Sequence, residues 1–180
     1  AGFKFSQNQL FWLAALPGLS GPFFRALYSF VVPIFGGRNW TVFSTALLLL
    51  PTLWIGVAVQ DLNTNYAVFV AIALLCGLGA GNFSSSMANI SFFFPQRLQG
   101  TALGLNGGVG NLGVGLAQLI VPITMYGGAL WILGGSAQNH FDEGVVTPIW
   151  IQNAGFIWVP FIVAASVAAW LGMDNIGTVK

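Results

Sequence analysis

The stretch that decides the fold is LFWLAALPGLSGPFFRALYSFVVPIF, residues Leu10 to Phe35, which is long and apolar enough to cross a lipid bilayer. A helix needs roughly 20 apolar residues to span the hydrocarbon core. Near its middle the stretch carries one charged side chain, Arg25. An arginine at the centre of a spanning helix costs about 2.5 to 3.5 kcal/mol on insertion scales and usually faces a bundle interior or a watery cavity. We therefore expect the rest of the chain to present Arg25 to an anion.

The composition is that of an integral membrane protein. Of the 180 residues, 56% are hydrophobic and only 5% are charged, whereas about 25% of the residues of a soluble domain are charged. The net charge of +1 comes from a handful of ions, and we expect no nucleic-acid partner. The single cysteine, Cys76, excludes an internal disulfide and is expected to be a small buried packing residue.

The apolar runs predict an all-α protein with five transmembrane helices. Their approximate ranges are 9–35, 41–60, 66–94, 101–126 and 154–173. Ser6 or Asn8 can cap the first helix, and the stretch from residue 127 to residue 149 shows no periodicity and is predicted to be a connector. The odd number of spans and the opening without Met or a signal peptide indicate a piece of a longer protein.

The distribution of basic residues predicts which ends of these helices face the cytoplasm. Arg38, Arg97 and Lys180 fall on one side of the predicted membrane, whereas most of the acidic residues fall on the other side. Loops rich in Arg and Lys are usually cytoplasmic. The first helix is therefore predicted to run from the outside to the inside.

Two of the predicted helices carry polar or small residues on one face. One face of the third span carries polar residues at helical spacing, namely Asn82, Ser85, Ser86 and Asn89. Such a stripe more often makes contacts between helices than it forms a substrate site. In the fourth span, GTALGLNGGVGNLGVGLAQ from Gly100 to Gln118 is dense in glycine. Small residues at this spacing let another helix approach closely.

Arg25 has two interpretations. It can be structural, with its charged end reaching the membrane surface or hydrogen-bonded to carbonyls that Pro17 and Pro22 leave free. Alternatively it binds an anion, because its planar guanidinium suits bidentate contact with a flat oxyanion. No Asp, Glu, Lys or His lies within any of the five spans. The counter-ion of Arg25 is therefore a bound anion or a group outside this chain.

Other motifs do not indicate a cofactor or a metal. The run from Gly108 to Gly113 fits the dinucleotide pattern G-x-G-x-x-G, but no βαβ unit surrounds it. His140 stands alone in the connector without metal-ligand spacing, and one Cys and one His offer little from which to build a metal centre. We predict no metal and no cofactor. An enzyme is the weakest alternative, because no nucleophile and base are paired.

Three motifs together resemble the nitrate/nitrite porters of the major facilitator superfamily, most closely the bacterial NarK type. They are LPGLSGPFFRALYSFVVPIFGGRNWT, GNFSSSMANISFFFP and the glycine run GTALGLNGGVGNLGVG, which looks like the nitrate signature of that family. The resemblance covers nearly the whole chain. It implies that residues 1–180 are part of an N-terminal transmembrane domain and supply the second to sixth of twelve helices.

The resemblance also implies a substrate site. Arg25 corresponds to the substrate arginine of the second helix, Asn111 and Gly107 to contacts in the fifth, and Phe83 to an aromatic residue beside the anion. Ala80 stands where the family often has glycine and is included in this predicted site. The glycines predicted to pack helices are Gly104, Gly108, Gly110, Gly113 and Gly115. A second substrate arginine belongs to the C-terminal half, which this chain lacks.

The predicted function is therefore transport of nitrate and nitrite through the inner (plasma) membrane of a bacterium, as a multi-pass protein. Exchange is favoured because proton symport usually needs a titratable relay, and these spans contain none. Two alternatives stay open: proton-coupled nitrate symport, and a non-transporting assembly or anchor subunit in which Arg25 is structural. The predicted partners are the two anions, the bilayer and the C-terminal half of the same chain.

Overall fold

The computed structural model describes residues 3–128, 134–142 and 145–175 of the chain, and most of these residues are helical. The elements in chain order are α1 (Gln7–Phe35), α2 (Gly37–Leu47), α3 (Leu49–Ala58), α4 (Tyr66–Cys76), α5 (Leu78–Phe93), α6 (Gln96–Tyr126), β1 (Gln138–Asp142), β2 (Val145–Ile149), α7 (Asn153–Phe156) and α8 (Val159–Gly172). They contain five stretches long and apolar enough to cross a membrane, which are Gln7–Phe35, Gly37–Ala58, Tyr66–Phe93, Gln96–Tyr126 and Asn153–Gly172. The five predicted spans are thus found as helices, and the described residues add a short strand pair.

Local sequence explains where the first helices begin and end. Ser6 caps α1 through a capping box, in which its hydroxyl accepts from the Gln9 backbone N–H while its own N–H donates to Gln9 Oε1. The helix ends at Gly36, which has a φ of +82° that other residues rarely adopt. The Asn65 side chain caps α4 by accepting from the Ala67 N–H at 3.0 Å.

The closest contact between spans joins α1 to α5, and three glycines allow it. A Cβ atom on Gly77 would lie 2.9 Å from the Gly21 backbone nitrogen, and one on Gly21 would lie 3.1 Å from the Ala80 Cβ. A Cβ on Gly81 would lie 2.6 Å from the Tyr28 ring. Residues about 55 positions apart in the chain therefore share one seam, and Arg25 and Ala80, two residues of the predicted substrate site, lie beside it.

The apolar core is small because most large apolar side chains point outward. A buried cluster of Ala58, Val59, Phe69 and Ile72 is packed against Phe3, Phe5, Leu13, Ile55 and Val68. Leu19, Phe23, Phe30 and many others are exposed, as expected where lipid rather than water surrounds the helices. The prediction that Cys76 is buried is wrong, since its side chain is exposed on the outer surface of its span.

The connector between α6 and α7 contains structure that the sequence analysis missed. Strands β1 and β2 form an antiparallel pair in which His140 lies opposite Thr147. Glu143 lies outside the described residues. The pair is short and lacks a regular alternation of apolar and polar residues, which explains why no strand was predicted.

Buried amides fasten this connector to the ends of the spans. Gln152 and Asn153 are fully buried. Gln152 Nε2 donates to the Gly134 carbonyl at 2.6 Å, and Asn153 Nδ2 donates to the Thr124 and Gly128 carbonyls at 2.7 and 2.8 Å. These bonds satisfy carbonyls where α6 ends and the strand pair begins. The connector is therefore fixed to the helices.

At the opposite end of the bundle, the residues after α8 contact the start of α2. Asn175 Oδ1 accepts from the backbone N–H groups of Arg38 and Asn39 at 3.0 and 3.3 Å, which caps α2 from a distant part of the chain. The Arg38 guanidinium lies over the Trp170 ring, 4.9 Å from its centroid. The last span is thus held against the second.

The α1–α5 seam predicts a difference between two glycines of one helix. Gly81→Ala should lower the free energy of unfolding by about 1 to 3 kcal/mol, because the new methyl group meets the Tyr28 ring. Gly79→Ala is the matched control, since a Cβ there meets nothing within 4 Å among the described residues, and it should be neutral or stabilise by up to about 1 kcal/mol. Thermal unfolding of the full-length protein in detergent measures both. Equal melting temperatures for the two variants would contradict the seam.

Candidate anion-binding site

Arg25 lies on α1 with its side chain exposed, in the part of the chain that the structure describes. Its Nε donates to the Ala80 carbonyl oxygen at 3.4 Å, which is long for such a bond. Its guanidinium carbon lies 5.4 Å from the centroid of the Phe83 ring. An arginine has five N–H donors, so these contacts orient the guanidinium and leave most of its donors for another ligand.

Hydroxyl groups extend the polar surface beside Arg25 by one helical turn. Ser29 Oγ donates to the Arg25 carbonyl oxygen at 2.8 Å. The same Ser29 oxygen shares a 2.8 Å hydrogen bond with Ser84 Oγ on α5. Arg25, Ser29, Phe83 and Ser84 therefore form one cluster across the α1–α5 seam, which has a permanent positive charge and no acidic side chain in either helix.

The structure brings some of the predicted site residues together. Arg25, Ala80 and Phe83 are in direct contact, as given above. On α6, a Cβ at Gly110 would lie 3.8 Å from Phe83 Cε2, and one at Gly107 would lie 3.9 Å from Met87 Cε. Gly110 thus faces the same aromatic ring as Arg25, and Gly107 lies one turn away on the same face of α6.

Other predicted residues of α6 lie on an open face of that helix. Asn111 is exposed. A Cβ atom at Gly104, Gly108, Gly113 or Gly115 would meet nothing within 4 Å among the described residues. No residue of α6 is buried. The predicted roles of these four glycines in helix packing, and of Asn111 in substrate binding, stay predictions about groups beyond the described helices.

The structure adds a residue that the sequence analysis did not single out. Asn106 on α6 is half-buried, and its Oδ1 accepts a hydrogen bond from Ser86 Oγ on α5 at 2.9 Å. The polar stripe of the third span divides accordingly, because Ser86 faces α6 whereas Ser85 and Asn89 are buried. The sequence carried no specific signal for Asn106, because its contact with Ser86 depends on which face of α6 packs against α5.

The described residues contain no group of three or more His, Cys, Asp or Glu side chains placed to hold a metal ion. What the site can do chemically follows from its donors. A guanidinium, neighbouring hydroxyls and an aromatic face within the membrane can replace part of the hydration of a small anion.

Comparisons with known proteins agree with this chemistry. No family model matches the chain. The chain is 51% identical to the nitrate/nitrite transporter NarU of Escherichia coli K12, over 98% of its own length and 38% of that protein. It is 47% identical to the probable nitrate/nitrite antiporter NarK2 of Thermus thermophilus, over 97% of its own length and 40% of that protein. NarU of Salmonella typhimurium is 51% identical over 99% of the chain.

These relatives are named as transporters or antiporters and not as enzymes. The chain spans about two-fifths of their length. The alignments cover nearly the whole chain, and so include the arginine-bearing helix and the glycine run. The chain is therefore a homologue of NarK-type nitrate/nitrite transporters over the two-fifths of their length that it covers.

Proposed function

We propose that the full-length protein carries nitrate and nitrite across the bacterial inner membrane by exchange, as a multi-pass carrier that is not an enzyme. In this proposal residues 1–180 form part of the N-terminal domain of a major-facilitator bundle and supply its second to sixth helices. The names of the relatives support the substrates, and the name of the Thermus NarK2 protein supports exchange. The site would alternate between the two sides of the membrane as the domains rock.

The single observation that carries the proposal is the environment of Arg25. The guanidinium is central in a spanning helix whose neighbours contain no acidic residue. It donates weakly to one carbonyl and lies on an aromatic face, so it is held in place without being neutralised. A cation within the membrane interior is costly unless a counter-ion or water accompanies it. A monovalent anion removes that cost when it binds.

The remaining predicted residues have complementary roles in this site. Phe83 orients the guanidinium, and Ala80 offers it a backbone carbonyl. Gly107 and Gly110 let the backbone of α6 approach Phe83 and Met87 without intervening side chains. Asn111 would donate from the open face of α6, where the C-terminal half of the protein closes the site. Selectivity for planar anions then rests on the fork geometry of the guanidinium.

Exchange follows from the same electrostatics. An empty site carries an uncompensated charge, so its reorientation across the membrane is slow until an anion binds. A proton-coupled mechanism would need a titratable group along the route, and none of Asp, Glu, Lys or His occurs in the spans of this chain. The lone cation thereby couples the exit of one anion to the entry of another.

Substitution of Arg25 tests this function. Arg25→Lys keeps the charge but loses the planar fork, and Arg25→Gln loses the charge as well. We expect uptake of labelled nitrate into nitrite-loaded proteoliposomes to fall at least about tenfold with Lys and to be abolished with Gln. Arg97→Lys is the matched control, because Arg97 is exposed at the start of α6, and it should transport like the wild type.

The outcomes separate the alternatives. Full transport by Arg25→Gln would contradict anion binding by Arg25 and favour a structural role. Uptake by the wild type into vesicles without internal anion, driven by an imposed pH gradient, would contradict exchange and favour proton coupling.

The aromatic contact gives a second prediction. Phe83→Leu removes the ring beneath the guanidinium, and the contribution of such a contact, about 0.5 to 2 kcal/mol, corresponds to a rise in the Kd for nitrate of about 2- to 30-fold. Phe92→Leu is the control on the same helix, since its side chain is 57% exposed and lies away from Arg25. Titration of the purified full-length protein with nitrate measures both. Equal affinities for nitrate in the two variants would contradict a role for Phe83 in anion binding.

A further inference from the structure

We propose that Asn106 is a further anion ligand in the transport route, that it binds nitrate or nitrite through its Nδ2 group, and that Ser86 orients it. This inference rests on the proposed function and adds a second binding position to the Arg25 site.

The first observation is the hydrogen-bonding state of Asn106. Its Oδ1 accepts from Ser86 Oγ at 2.9 Å, and its Nδ2 is shielded from solvent and has no hydrogen-bond partner among the described residues. Buried polar groups in native proteins nearly always have a partner, because an unpaired one costs about 1 to 3 kcal/mol in desolvation alone. The carboxamide therefore presents two N–H donors to a ligand that can only accept. Nitrate and nitrite are such ligands.

The second observation is the position of Asn106 relative to Arg25. Phe83 contacts both Arg25 on α1 and the Gly110 position on α6. Asn106 lies four residues before Gly110, which is about one helical turn, or roughly 5 to 6 Å, along α6. Ser86 lies three residues after Phe83 on α5. The Asn106 donors therefore lie about one turn from the Arg25 site along the contact between α5 and α6, towards Arg97 at the start of α6.

The third observation is how loosely α6 is attached at this seam. No residue of α6 is buried among the described residues, and even a Cβ added at Gly107 or Gly110 would come no closer than 3.9 Å to Met87 or 3.8 Å to Phe83. An anion that approaches Nδ2 from the open side of α6 would not have to break a packed core or the bond to Ser86. The bond to Ser86 keeps the carboxamide oriented with its donors free. Asn111 lies five residues further on, about 140° around the helix axis, so the two asparagines serve different faces.

Asn106→Asp is the direct test, because Asp keeps an oxygen that can accept from Ser86 and replaces the N–H donors with a negatively charged oxygen. In the full-length protein we expect nitrate affinity at pH 7.5 to weaken at least tenfold and nitrate/nitrite exchange to fall with it. Affinity should recover as the pH is lowered towards 5, because a protonated carboxyl group can donate again. The wild type should not show this recovery, since it carries no carboxyl group at position 106.

Two further variants complete the experiment. Ser86→Ala removes the orienting bond and should weaken nitrate binding by about three- to tenfold without any pH dependence. Asn63→Asp places the same new charge in an exposed turn and should leave nitrate affinity unchanged. The probe is labelled nitrate bound to purified full-length protein, and the thermal unfolding temperature of each variant identifies any that fails to fold.

The results distinguish this inference from the function on which it rests. Failure of the wild type to bind nitrate would overturn the proposed function itself. Wild-type binding together with unchanged affinity in Asn106→Asp would overturn only the inference. Weakened binding in Asn106→Asp with acid recovery, together with weakened binding in the uncharged Ser86→Ala variant, would support Asn106 as an anion ligand, because charge repulsion alone cannot explain the loss in Ser86→Ala.

Discussion

An uncompensated guanidinium in the membrane interior is the constraint on which the rest of the structure depends. Arg25 sits in the middle of a spanning helix, and no acidic side chain lies in any span of the chain. Its guanidinium donates a long hydrogen bond to the Ala80 carbonyl and lies over the Phe83 ring. These contacts orient the guanidinium but do not neutralise its charge. A soluble protein would hydrate such a group, whereas a membrane protein must supply a counter-ion or a watery cavity. In a carrier of small anions, the cargo itself can be the counter-ion.

The glycine seam between α1 and α5 makes this arrangement possible. Without side chains at Gly21, Gly77 and Gly81, the two backbones approach closely enough for Arg25 to reach the Ala80 carbonyl and the Phe83 ring. On α6, Gly107 and Gly110 likewise have no side chain where this helix faces α5. Contacts between helices in lipid gain little from the hydrophobic effect and depend on close packing and on hydrogen bonds. Glycines and hydroxyl groups therefore appear where a soluble protein would use leucine.

The sequence was sufficient for the parts of the fold that follow from local composition. The spans follow from apolar length, and Ser6 was predicted as one of two possible caps before the structure placed it in a capping box. The importance of Arg25 followed from the cost of its charge. Which face of α6 meets α5 could not be read in this way, because glycines occur all round that helix and several stripes fit them equally well. In the structure, the face of α6 that carries Asn106 and Gly110 packs against α5. Because this contact depends on tertiary packing, Asn106 was not predicted. The strand pair and the exposed Cys76 likewise depend on contacts between distant segments.

The most direct test of the account is the rate at which nitrite leaves preloaded proteoliposomes that contain the wild-type full-length protein. External nitrate should accelerate this efflux strongly, whereas an external medium containing only a large impermeant anion should hold it near the rate of protein-free vesicles. Such a result follows if the Arg25 site reorients only when an anion occupies it. Rapid efflux into the medium without nitrate or nitrite would contradict the account, because the empty cationic site would then cross the membrane freely.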